Sequence, residues 1–142
     1  MKTRIFTLSI LLLSALTVLA GNKIDKLFDQ VKDLPNAEYT HEKISKTEKK
    51  GVIDGIKNLE VVEAAIDEST YQTLRKTIVK GDYKPYEMLI DTHDDDEVVK
   101  ILMKRNKKKI TEVVIIDLEK DEINLVRFTG NLKSELLNKT IE

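Results

Sequence analysis

Apolar side chains first recur with helical spacing at Ile24, Leu27, Phe28, Val31 and Leu34, one face of a helix over residues 22–34. Asn22 is placed to cap its start, and Pro35 ends it by disfavouring helical backbone at Leu34. Residues 37–44 read as extended, with Tyr39 and Ile44 among polar neighbours, and residues 45–51 as a polar, charged link. Ile56, Leu59, Val61 and Val62 predict a strand over 56–63. Asp67 then caps a second helix over residues 68–80, with Tyr71, Leu74 and Ile78 as its buried stripe. Lys76 and Lys80 fall in the last turn, where a cation meets the helix dipole favourably, and Gly81 stops the helix.

Four strands follow in quick succession. Tyr86, Met88 and Ile90 alternate with polar partners in the first, and Val99, Ile101 and Met103 in the second. Residues 113–116 are the most apolar run, so the third strand is expected at the centre, covered on both faces. Ile123, Leu125, Val126 and Phe128 carry the fourth. The short connections predict an antiparallel meander. Leu132, Leu136 and Leu137 predict a final short helix over 132–138. The order predicts an α+β, two-layer domain: an antiparallel sheet with the helices packed on one face.

The first 20 residues change the picture of where the chain works. Lys2 and Arg4 form a positive start, residues 5–19 are uncharged and apolar, and Val18 and Ala20 sit three and one residues before a plausible cut at Gly21. This is the pattern of a cleavable signal peptide (1–20) and an exported product, periplasmic or secreted. Retention as an anchor is the alternative, but a spanning helix needs about 20 apolar residues and this stretch is shorter. No later segment is long and apolar enough to span a bilayer. Residues 21–142 have the length of one domain with a real core. Cysteine is absent, so that domain holds together by packing rather than disulfides. Taking Lys2 and Arg4 from the 24 basic residues leaves 22 against 25 acidic, a net charge of −3, which is no nucleic-acid signature.

Charge is nevertheless segregated. Successive loops of a meander lie at alternate ends of the sheet. The first holds Asp91, Asp94, Asp95, Asp96 and Glu97, and the third Glu119, Asp121 and Glu122. The second, at the opposite end, holds Lys104, Arg105, Lys107, Lys108 and Lys109, with Lys80 and Lys84 expected nearby. A strand of about seven residues would separate the ends by roughly 20 Å. The acidic loop offers hard oxygen ligands and, with His93, Asp94, Asp95 and Asp96, the only candidate metal site. Its spacing lacks the alternating ligands and central glycine of a calcium loop. The basic loop is a candidate partner surface for a polyanion or anionic lipid. Solvated hairpin loops are often charged without any such role.

Catalytic chemistry is not visible. His41 and His93 share no ligand spacing. Ser45, Ser69 and Ser134 lack the strand–turn–helix setting of a nucleophile elbow, and the five glycines form no phosphate-cradling cluster. Tyr39, Tyr71, Tyr83 and Tyr86 suit half-buried packing better than a pocket lining. No cofactor is expected.

Several of these features occur together: the export signal, the opening amphipathic helix, and the run from Leu59 through Tyr71 and Leu74 into Tyr86-Glu87-Met88-Leu89. They continue with the charged turn at 94–96, Lys109-Ile110-Thr111-Glu112-Val113-Val114, and residues 123–130 with Leu132. The combination resembles the exported Bacteroidetes family known as domain of unknown function four-two-five-two. The resemblance implies an α+β envelope protein with no assigned activity. Family members often carry a lipid-anchor cysteine at the cut, where this chain has Ala20-Gly21. The expected role is a non-enzymatic binding or interaction protein, whose partner is an envelope protein or a small ligand. Alternatives are an envelope assembly accessory at the membrane surface and a hydrolase with a dispersed carboxylate site.

Overall fold

The computed structural model describes residues 23–44 and 55–132. The capping role of Asn22, the signal peptide, the 45–51 link and, apart from Leu132, the helix expected over 132–138 lie outside the described residues. The elements run α1 (Lys23–Lys32), β1 (Glu38–Lys43), β2 (Ile56–Ala65), α2 (Glu68–Lys80), β3 (Glu87–His93), β4 (Glu97–Asn106), β5 (Lys109–Glu119) and β6 (Glu122–Leu132). The fold is α+β and mostly sheet.

The six strands form one antiparallel sheet in the order β1-β2-β6-β5-β4-β3. β3 to β6 therefore lie side by side in chain order. Helix α2 carries the chain from β2 across to the far edge, where β3 begins. β5, the most apolar segment, sits inside the sheet between β4 and β6.

Both helices put their apolar stripes into one cluster with one side of the sheet. Ile24, Leu27, Phe28 and Val31 of α1 and Tyr71, Leu74 and Ile78 of α2 meet Val62, Val98, Leu102, Val114, Ile116, Leu118, Ile123 and Leu125. A smaller cluster of Ile56, Met103, Ile110, Val113 and Leu132 gathers on the other side, with Leu89, Ile101 and Phe128 against it.

Helix α1 ends at Lys32, two residues before the expected stop, and Leu34 packs from the turn beyond it. Asp67 caps α2 through an Oδ1 that accepts from the Thr70 backbone N–H at 2.8 Å. That bond holds the Asp67 carboxyl below its ordinary pKa. Gly81 follows α2 with φ −62°, an ordinary backbone angle, so left-handed geometry is not why it is glycine. A Cβ there would lie 2.6 Å from the Tyr83 ring, so the glycine makes room for that ring. Gly55 and Gly130 do have positive φ, and each would drive a Cβ to about 2 Å from facing backbone where β2 meets β6.

The inward face of β4 differs from the expected one. Val99, Ile101 and Met103 point away from the helices, and Val98, Lys100 and Leu102 point toward them. Strand alternation was correctly periodic, but both faces of β4 carry apolar residues, so period alone could not choose between them. In the first of the four strands, Tyr86 lies just before β3 and is buried, whereas Met88 is 41% exposed.

Candidate functional site

The ends of the sheet carry the charge, and pairing fixes which loops share an end. Glu97 faces Glu119, so the β3–β4 and β5–β6 turns lie together; Asn106 faces Lys109 at the opposite end of β4. β4 is ten residues long, so the ends are about 33 Å apart along the strand, farther than a seven-residue strand would give.

At the acidic end, Asp94 does not reach outward. Its Oδ1 accepts from the backbone N–H groups of Asp96 (2.8 Å) and Glu97 (2.9 Å), which shapes the turn. Asp96 pairs with Lys120 at 2.8 Å, and Lys120 is held above its ordinary pKa chiefly by that bond. The Asp95 carbonyl accepts from the Tyr71 hydroxyl at 3.1 Å, tying the turn to α2, and Arg75 donates to the same hydroxyl at 2.8 Å. His93 ends β3 and is exposed. His41 lies on β1, and β1 and β3 are opposite edges of the sheet. Five strand spacings, on the order of 20 Å, keep the histidines from sharing a metal.

The carboxylates that do converge are Glu97, Asp117 and Glu119, with one ligand oxygen from each within 4.8 Å of the others. They lie at the end shared by the β3–β4 and β5–β6 turns, on the face away from the helices. A bond with Asp117, then its charge and those of Glu119 and Asp94, raise the Glu97 pKa above its ordinary value. Asp117 Oδ1 is buried and has no hydrogen-bond partner among the described residues. Among the described residues this trio, rather than Asp94 to Asp96 with His93, has the spacing that a hard cation requires. Asp117 went unnoticed in the sequence because it sits inside a strand; its period-2 spacing from Glu119 was the available signal.

At the basic end, Lys107, Lys108 and Lys109 are exposed. Lys107 has φ +59°, the left-handed region, at the tip of the β4–β5 hairpin. Arg105 reaches Glu87 at 3.4 Å, and Lys104 lies over the Tyr86 ring at 5.6 Å. Three lysines therefore stand clear, and the other two basic residues of the loop are engaged by β3 and its approach.

A third polar group lies under the helices and was not foreseen. Arg127, its side chain 13% exposed, stacks over Phe28 and bonds Asp25 of α1 and Glu60 of β2, the latter at 2.8 Å. Burial works against its charge, and the two carboxylates outweigh burial and hold its pKa above the ordinary value. Nearby, the Tyr86 hydroxyl donates to Glu112 Oε2. Burial, the largest influence, lifts the Glu112 pKa to about 7, with Asp25 and Glu60 adding to it and Arg127 opposing. Lys100 is 2% exposed and reaches Asp91 at 3.6 Å. These residues alternate in register with core residues: Lys100 between Val98 and Leu102, Glu112 two before Val114. That register was the sequence signal, and it was masked because either parity of these strands could face the core.

Both helices over one antiparallel sheet define the class of the protein: a small α+β domain with charge gathered at the sheet ends. The family model described as "Domain of unknown function (DUF4252)" matches residues 19–140, and the chain belongs to that family. No curated protein and no solved structure matches it. No helix among the described residues is long and apolar enough to cross a membrane.

Proposed function

We propose that this is an exported, non-enzymatic interaction module that meets an envelope partner end-on. The observation that carries the reading is the segregation of charge: exposed Lys107, Lys108 and Lys109 at one end of the sheet, and Glu97, Asp117, Glu119 and the 94–96 turn at the other. Separated fields of opposite sign orient an approaching partner and raise its rate of encounter. The polar groups under the helices support the same reading, because each is tied to a partner that locks the fold rather than aimed into an open cleft. Export is part of the proposal and rests on residues 1–20.

The test is affinity capture from envelope extracts using the protein and two variants, Asp94→Asn/Asp95→Asn/Asp96→Asn and Lys107→Gln/Lys108→Gln/Lys109→Gln. A specific protein lost with one variant identifies the working end. A second reading, contact with the membrane surface, is favoured by the three exposed lysines, 107–109, at the turn of one hairpin. Salt-sensitive binding to anionic vesicles that the lysine variant abolishes would support it.

A further inference from the structure

The first turns of α1 and the last turn of α2 leave a groove of about 250 Å³ between them. Its base is apolar: Leu27 and Tyr83 line it and are 3% and 6% exposed. Burial lifts the Tyr83 hydroxyl pKa to about 12, so this wall stays neutral at any physiological pH. Its rim is basic. Lys23, Lys26 and Lys80 all line it, and no carboxylate does. These three lysines are exposed and make no ion pair or hydrogen bond with the described residues, unlike Lys32, Lys100 and Lys120 elsewhere. Gly81 belongs to the same groove, and only a residue without a Cβ leaves the Tyr83 ring its place there.

Three ammonium groups with no ion-pair partner among the described residues, around an apolar base, suit one kind of ligand. A carboxylate or phosphate head satisfies the lysines, which bind such groups as point charges, and an attached aliphatic stem covers Leu27 and Tyr83. The volume lies below the roughly 300–1,000 Å³ of pockets for drug-sized ligands, so a small head and a short stem fit and a bulky molecule does not. We infer that the α1–α2 groove is a binding site for a small amphiphilic anion, taken up as a free molecule. The groove is lined by residues of both helices, encloses one small ligand, and includes none of the lysines at 107–109. This site is distinct from the sheet ends, so it stands or falls separately from the end-on reading.

Octyl phosphate, kept below its micelle-forming concentration, is the probe. It is titrated into the purified protein, in the form its cell produces, while backbone amide shifts are followed by NMR. The expected result is saturable shifts at Lys23, Lys26, Thr77 and Gly81 that weaken with salt. Lys23→Gln/Lys26→Gln/Lys80→Gln should raise the dissociation constant by about tenfold or more. Gln30→Glu, which puts a carboxylate of similar size into the exposed lining, should weaken binding too. Lys107→Gln/Lys108→Gln/Lys109→Gln should leave it unchanged. All these side chains are exposed, so unchanged melting temperatures keep the comparison clean. The proposal is overturned if millimolar probe moves none of these amides, or if the shifts survive the triple lysine variant. It is equally overturned if the groove lysines matter only for binding to phosphatidylglycerol vesicles and not for the free probe.

Discussion

Glu112→Gln isolates the cost of a carboxylate held under the helices. In the folded protein burial lifts the Glu112 pKa from 4.5 to about 7. The folded state thus holds its proton more tightly than the unfolded chain does. Below pH 4.5 both states are protonated and the group contributes nothing. As pH rises toward 7 the unfolded chain ionises first, and stability falls; above 7 the loss is constant. At ~1.36 kcal/mol per pH unit the full difference is about 3.4 kcal/mol. Glu112 is only about half buried, so solvent screening reduces this to about 1–2 kcal/mol. Glutamine has the same shape, does not titrate, and its amide oxygen can still accept from the Tyr86 hydroxyl. Urea denaturation of both proteins across this pH range measures the effect. The stability of Glu112→Gln relative to the native protein should climb by about 1–2 kcal/mol between pH 4.5 and 7 and then level off. Taking the difference cancels the titrating groups that do not interact with Glu112. A difference that stays flat with pH, or falls, would refute the assignment of Glu112 to a desolvating site.

Three further substitutions probe the frame. Phe28→Ala empties a fully buried site between α1 and the sheet and removes the ring beneath Arg127, so chemical denaturation should show a loss of about 3–5 kcal/mol. Asp67→Ala deletes the α2 cap and should cost about 1 kcal/mol in the same assay. Lys107→Gly relieves a left-handed backbone angle at the hairpin tip and should raise stability by about 0.5–1 kcal/mol, read as a higher melting temperature.

The sequence was most legible where one face alone is apolar. In α1 and α2 the stripes at Ile24, Leu27, Phe28 and Val31 and at Tyr71, Leu74 and Ile78 are the buried residues observed, and the Asp67 cap is in place. Antiparallel pairing followed from short connections, because a two-residue turn at 107–108 leaves the chain no alternative. Legibility failed in the strands that are apolar on both faces. In β4 the choice between the Val98 and Val99 parities is made by α2 and α1 covering one side, which is tertiary information. Glu60, Lys100, Glu112 and Arg127 were missed for the same reason: a charged residue in a strand reads as solvent-facing unless its parity is known. The acidic end was found, but not its grouping, because Glu97 meets Asp117 and Glu119 only through cross-strand register. The α1–α2 groove was invisible too, since Lys23 and Lys80 are 57 positions apart in the chain.

The most direct test of end-on recognition is the envelope capture run at low and high salt with the native protein and both loop variants. End-on recognition predicts a specific protein retained at low salt, released at high salt, and lost with either the 94–96 or the 107–109 substitutions. A partner held equally by all three proteins at both salt concentrations would contradict it and move recognition away from the charged ends.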